Sequence, residues 1–307
     1  MLKKLIFAPF FLLTFILLIY QLNPLLSSYD FVFVLSADTL IELIKIAALF
    51  VLSSLLFSLF ATFANGWKLI LPVSLLAAAI PLLFINTALA IVLTVTIIIS
   101  LLLTYLALEN NLKSYLTFKA SALIGPAVRH LSALLIASFC IVYFLSANQI
   151  IAQKGFEIPD SLIDTAISMS PAKSLTEQSQ TEAQLPSINS EQLELLKQNP
   201  DMLKQYGLDP QMLDTLTNPQ KTLQAPQNLL NDTIKQTVKD QFQTLIKPYQ
   251  SFIPAILALI LFLTLQSLTA VLSIFISPVL WLIFTIFEKT AFVKFEIEQR
   301  PVKKLVI

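Results

Sequence analysis

The sequence predicts an all-α polytopic integral membrane protein, with about six transmembrane helices and one exported, helical and partly flexible insert. Of its 307 residues, 56% are hydrophobic and 13% are charged, whereas soluble domains carry about 25% charged residues. The apolar residues form runs of the length that a bilayer-crossing helix needs, roughly 20 residues. One long polar block interrupts these runs. We therefore divide the chain into a five-span region 1–147, an insert 148–250 and a C-terminal part 251–307.

Two apolar runs, 5–22 and 40–63, begin the chain. The first follows two lysines but is not followed by a small-residue cleavage site, so we interpret it as an uncleaved span. The second follows Ser36, whose hydroxyl is expected to cap a helix, and Asp38, whose charge suits the positive helix N-terminus. That helix is expected to be longer than the hydrocarbon core of a bilayer, with its first two turns in the interface.

Three further runs, 69–85, 88–108 and 130–147, complete the first region. Only a few residues around Asn86 separate the first two of them, which predicts a tight helical hairpin. Pro72 and Pro81 predict kinks or irregular ends in its first arm. The last helix is expected to continue to Lys154, with Gly155 as a left-handed cap.

The apolar stretch 251–287 allows two interpretations. In the first, one long span ends near Ile276, and Ser277 and Pro278 begin a short half-helix in the interface. In the second, two short spans meet near Gln266. We prefer the first because the basic tail then lies inside the cell. Alternating residues 293–298 predict a short amphipathic strand.

Basic residues in the short loops predict the orientation of the chain in the membrane. Such residues favour the cytoplasmic side, and here they are Lys3, Lys4, Lys68, Lys113, Lys119 and Arg129. They place the N-terminus inside and the insert 148–250 outside, most simply at the plasma membrane.

The exported insert contains a flexible linker, 171–190, followed by repeated starts of short helices. Asn199-Pro200 and Asp209-Pro210 combine a capping side chain with a proline at the first helical position. One turn later, each unit presents a Met-Leu pair. Helices this short are not stable alone, so we expect their apolar faces to pack on each other, on neighbouring helices or on a partner.

Residues 199–213 resemble the Asp-Pro helical repeats of stress-inducible co-chaperones. In that family, short helices form a groove lined by Leu and Met that holds apolar client segments. A longer amphipathic helix follows at 231–247, and its stripe is either covered by the short helices or paired with a second copy as a coiled coil. The predicted partner-binding residues are Met202, Leu203, Met212, Leu213, Ile234, Val238 and Phe242.

The motifs of common active sites are missing from the sequence. The single histidine, His130, excludes paired-histidine zinc motifs, and the four glycines, at positions 66, 125, 155 and 207, lie too far apart for the phosphate-binding and nucleophile-elbow motifs. We therefore expect no catalytic residue, no cofactor and no metal. With a net charge of +1, nucleic acid is not an expected partner either. The leading hypothesis is a non-enzymatic protein that presents the insert for partner binding or self-association. The alternative is a transporter or channel subunit with a path lined by Ser and Thr, and a membrane-embedded enzyme comes third.

Overall fold

The computed structural model describes residues 2–33, 36–64, 66–85, 87–114, 118–156, 239 and 246–293. Within these ranges the chain is helical apart from short connections, and no residue forms a β-strand. The α-helices are α1 Leu2–Leu5, α2 Phe7–Leu22, α3 Ala37–Ala64, α4 Trp67–Ala79, α5 Pro81–Phe84, α6 Thr87–Ser114, α7 Ala120–Leu123, α8 Gly125–Lys154, α9 Ile253–Leu272 and α10 Ile276–Lys289. Short 3-10 helices lie at Pro24–Leu26, Asp30–Val32, Lys247–Phe252 and Ser273–Phe275. These ten α-helices belong to one compact unit, formed by Met1–Gly155 and Tyr249–Ile307, and Phe156–Pro248 forms a second unit.

Six helical segments in the described ranges are long and apolar enough to cross a membrane. They are Phe7–Leu26, Ala37–Ala64, Trp67–Phe84, Ala88–Lys113, Ala120–Gln153 and Lys247–Lys289. Five precede the polar block and one follows it, which confirms the predicted number and order of the apolar helices. The 28-residue α3 is about 42 Å long at 1.5 Å per residue, longer than a hydrocarbon core of about 30 Å.

Helices α2 and α3 pack against each other along their apolar faces. Phe11 of α2 and Phe57 of α3 are in contact, with ring centroids 5.2 Å apart. At the start of α3 the predicted cap is present, because the backbone amide of Thr39 donates to Ser36 Oγ at 3.1 Å. Local capping chemistry therefore sets the point at which this long helix begins.

The predicted hairpin is formed by α4 and α5 on one side and α6 on the other. A hydrogen bond joins the two arms, since Thr94 Oγ1 donates to the Ala78 carbonyl at 2.8 Å. Pro81 makes the first arm irregular near its end, as expected: α4 stops at Ala79 and the short α5 begins at Pro81. Pro72 lies inside α4 without ending the helix, so the kink expected there stays a prediction.

Two helices extend well beyond the apolar runs that predicted them. Helix α6 continues to Ser114, and an ion pair between Glu109 Oε1 and Lys113 Nζ at 2.6 Å lies on its last turns. Helix α8 begins at Gly125, with Pro126 in its first turn, rather than at residue 130. Most of the predicted loop 109–129 is therefore helical, because ion pairing and proline chemistry extend helices where hydrophobicity ends.

The C-terminal stretch breaks close to the point that the first of the two interpretations gives, and the position of the short helix in the interface stays a prediction. Helix α9 runs without a break through Gln266, so two short spans meeting there are excluded. The break comes at Ser273–Phe275, and α10 then begins at Ile276, with Pro278 in its first turns. Apart from Val293, the predicted strand 293–298 lies outside the described residues.

Helix α10 packs back on the bundle through residues spaced four apart. Ile276, Leu280 and Phe284 are buried against Leu55 and Leu59 of α3 and against Ile124 and Val128 at the start of α8. Helix α9, which directly precedes α10, packs along α8 and α3. The start of α8 therefore lies near the end of α9, and the two helices run antiparallel.

Candidate functional site

All the predicted partner-binding residues lie outside the described part of the chain. They are Met202, Leu203, Met212, Leu213, Ile234, Val238 and Phe242. The same holds for the linker 171–190 and for the units beginning at Asn199 and Asp209. The predicted groove and coiled coil thus stay predictions, and the described geometry concerns the helices on either side of the insert.

Helix α8 is fixed in the bundle up to its last turn. Ser146 Oγ donates to the Leu26 carbonyl at 2.6 Å, which ties α8 to the connection after α2. Ile151 is buried, and the helix ends at Lys154. Gly155 follows with φ of 79°, a conformation that suits glycine and that the sequence predicted for this position.

Helix α9 supplies the second anchor. Leu257, Leu261 and Leu265 form its buried stripe, at spacings of four residues. Because α8 and α9 are antiparallel neighbours, the end of α8 at Lys154 and the start of α9 at Ile253 lie at the same end of the bundle. The chain between them leaves and returns at one face of this unit.

Most of the polar side chains buried in the described part of the bundle are serine and threonine, and the Tyr143 hydroxyl and Gln266 Oε1 are buried as well. Ser100 of α6 and Ser138 of α8 form a cross-helix hydrogen bond of 3.2 Å. Ser53, Ser54 and Ser58 of α3 are fully buried, and their Oγ atoms have no hydrogen-bond partner. Burying a hydroxyl without a hydrogen-bond partner costs free energy in an apolar interior. These three serines are therefore a candidate site besides the insert.

Groups suited to metal or nucleophilic chemistry are dispersed in the described ranges. His130 is exposed near the start of α8, and Cys140 is buried within the same helix. No three His, Cys, Asp or Glu residues come together there as metal ligands.

An aromatic cluster that the sequence analysis did not find lies where α3 ends and α10 packs. The Phe63 ring contacts those of Phe7, Phe284, Phe287 and Phe292 at centroid distances of 5.5, 6.1, 5.8 and 5.8 Å. Only the Phe284 and Phe287 spacing on one helix face was visible as a signal in the sequence. Beside this cluster, a cavity of about 380 Å³ opens between residues 118–121 and α10.

Comparison with known proteins assigns no family to the chain. No family model, no curated protein and no solved structure matches it. The likeness of residues 199–213 to Asp-Pro repeats stays a resemblance. In its described part, the chain is an all-helical protein with six helices long and apolar enough to span a membrane.

Proposed function

We propose that this protein is a non-enzymatic integral membrane protein that displays segment 148–250 on the outer side of the plasma membrane. There the segment binds a protein partner or a second copy of the chain. The observation that carries the proposal is the antiparallel packing of α8 and α9. It holds both ends of the segment at one face of the bundle, which is the arrangement that a displayed domain requires.

The outer surface of the bundle supports membrane insertion. Large apolar side chains are exposed along its helices, among them Leu13, Leu83, Leu263 and Trp281 with exposed fractions of 66, 79, 55 and 67%. Apolar surface on this scale is unfavourable in water and favourable against lipid. Together with the six candidate spans, it argues for a bilayer as the first partner.

The orientation is tested by thiol labelling on intact cells. In a Cys140→Ser background, single cysteines replace Ser174, Thr222 and Asn110, the last being exposed near the end of α6. We expect an impermeant reagent to label positions 174 and 222, and to reach position 110 only after permeabilisation. Labelling of intact cells at position 110 alone would show that the chain has the opposite orientation, and it would contradict the display function.

Association is tested by native mass spectrometry of the purified full chain and by affinity capture from its own membranes. Serine at positions 202, 203, 212 and 213 removes the apolar faces of the short helices. We expect this variant to lose its partner or its dimer while still inserting. A variant with serine at 234, 238 and 242 tests the longer stripe separately.

A matched control deletes residues 174–187, within the predicted linker, and should keep all associations. If removal of 157–245 leaves every association intact, the display function is wrong. The bundle itself then carries the function.

A transporter or channel subunit is the second candidate, favoured by the buried hydroxyls of Ser53, Ser54 and Ser58. A path lined by hydroxyls can replace part of the hydration shell of a solute. In proteoliposomes, this function predicts flux that Ser54→Val and Ser58→Val reduce and that Ser267→Val, on an exposed position of α9, leaves unchanged. No flux of ions or small polar solutes would exclude it.

A further inference from the structure

We propose that the cavity between residues 118–121 and α10 binds the headgroup of a zwitterionic phospholipid that carries a primary ammonium. Its volume of about 380 Å³ lies near the lower end of the range for small-molecule pockets, roughly 300–1,000 Å³. Lys119 and Ser121 contribute to one wall, and Trp281, Thr285 and Glu288 of α10 contribute to the other. This site is separate from the displayed segment, and it rests on the proposed function only through membrane insertion.

The two charges of the cavity stand on opposite walls. Lys119 and Glu288 are both exposed, and no ion pair joins them in the described structure. A ligand that carries one negative and one positive group satisfies both walls at once. The phosphate of a lipid then faces Lys119 and the Ser121 hydroxyl, and the ammonium faces Glu288.

The α10 wall is a single stripe suited to an ammonium group. Trp281, Thr285 and Glu288 follow a spacing of four and three residues, so they share one helix face. An exposed indole attracts a cation over its ring face. The Thr285 hydroxyl donates to the Trp281 carbonyl at 2.8 Å, which leaves its lone pairs free to accept an N–H.

These acceptors favour ethanolamine over choline. An ethanolamine ammonium offers three N–H donors to the Glu288 carboxylate and the Thr285 hydroxyl, whereas a choline ammonium offers none. An anionic headgroup without an amine would bring its charge close to Glu288 with no compensating contact. Charge complementarity therefore selects one lipid class.

The floor of the cavity is preformed. Phe284 is buried there and contacts Phe118, with ring centroids 5.2 Å apart. Next to the cavity, Leu282 and Ile286 are exposed on α10, where they suit lipid acyl chains. A headgroup in the cavity and chains along α10 form one continuous lipid contact.

The test is native mass spectrometry of detergent-solubilised full-length protein titrated with phosphatidylethanolamine, phosphatidylcholine and phosphatidylglycerol of identical acyl chains. We expect the wild type to bind phosphatidylethanolamine most tightly. Glu288→Gln and Trp281→Leu should each weaken that binding about 5- to 10-fold. Lys119→Gln should weaken the binding of all three lipids. Lys289→Gln removes an adjacent exposed charge outside the cavity and should change none of them. Glu288→Asp keeps the charge and should retain the preference.

Two results would overturn the site: equal binding of the three lipids by the wild type, or unchanged phosphatidylethanolamine binding by Glu288→Gln. Preferential binding of phosphatidylglycerol would show that the surface is a positively charged patch without ethanolamine specificity, and it would also reject the ethanolamine site. Because the titration uses purified protein, its failure is distinguishable from a failure of the thiol-labelling and association tests.

Discussion

Single residues show which contacts local sequence can reveal. Ser36 at the start of α3 and Gly155 at the end of α8 act within one turn of their own helices, so their roles followed from neighbouring residues. Ser146 was not predicted, because its partner Leu26 lies 120 residues away in the chain. A hydrogen bond of that kind depends on how helices pack, which spacing within one helix does not encode.

Ser146→Ala should destabilise the bundle measurably. The change removes the donor to the Leu26 carbonyl and leaves that buried backbone acceptor without this partner, at a cost of about 1–3 kcal/mol. A thermal melt in detergent, followed by circular dichroism, measures the loss. The matched control is Ser267→Ala, whose exposed hydroxyl bonds only to Leu263 in its own helix and should leave the midpoint unchanged. Equal melts for the two variants would contradict the role of Ser146.

Helix α10 illustrates the element scale. Ser277 and Pro278 predicted its start and its separation from α9 to within a few residues, but the helix begins at Ile276 and no side chain caps it, so the predicted cap at Ser277 was wrong. Its packing partners could not be predicted, because Phe7, Phe63 and Phe118 come from three distant parts of the chain. The extra turns of α6 and α8 were not predicted either. The length of an apolar run shows how much of a helix can lie in the bilayer, and the helix itself can continue beyond that run.

Phe63→Ala should loosen α10 selectively. Phe63 contacts Phe284, Phe287 and Phe292, and its loss removes several aromatic contacts of about 0.5–1.5 kcal/mol each. Hydrogen exchange in 276–289 should therefore accelerate, while exchange in α9 stays slow. Phe10→Ala on α2 is the control, because that side chain is 59% exposed. Uniform acceleration across the bundle would mean that Phe63 supports global stability rather than α10.

At the scale of the whole molecule, the number and order of the apolar helices could be predicted from the lengths and positions of the apolar runs. Apart from the hairpin of α4 and α6, the neighbours of each helix could not be predicted, because hydrophobic runs of similar composition carry little information about which run packs on which. The candidate binding residues of the insert lie outside the described ranges, so the structure leaves them as predictions. What it adds is the pairing of α8 with α9, which joins the two sequence halves around the insert.

This pairing should survive a cut in the insert. A specific protease site placed within 171–190 divides the purified chain into two pieces, and we expect both to elute together in mild detergent because α9 packs on α8 and α3. Leu261→Asn, on the buried stripe of α9, should release the C-terminal piece, whereas Leu263→Asn on an exposed face should not. Separation of the cut wild-type pieces would show that the covalent connection, and not helix packing, holds α9 in place.

The packing of α9 on α8 also means that α8 is synthesised well before its neighbour in the bundle. About 100 residues separate the end of α8 from the start of α9, so a ribosome working at roughly 5–20 residues per second takes on the order of 5–20 s to cover that interval. During that interval, the surface of α8 that packs against α9 is not yet covered by α9 of its own chain. In a nascent chain, this surface can be bound by a chaperone, by a lipid or by α9 of a neighbouring copy. Exchange of α9 between copies is therefore a competing route to assembly.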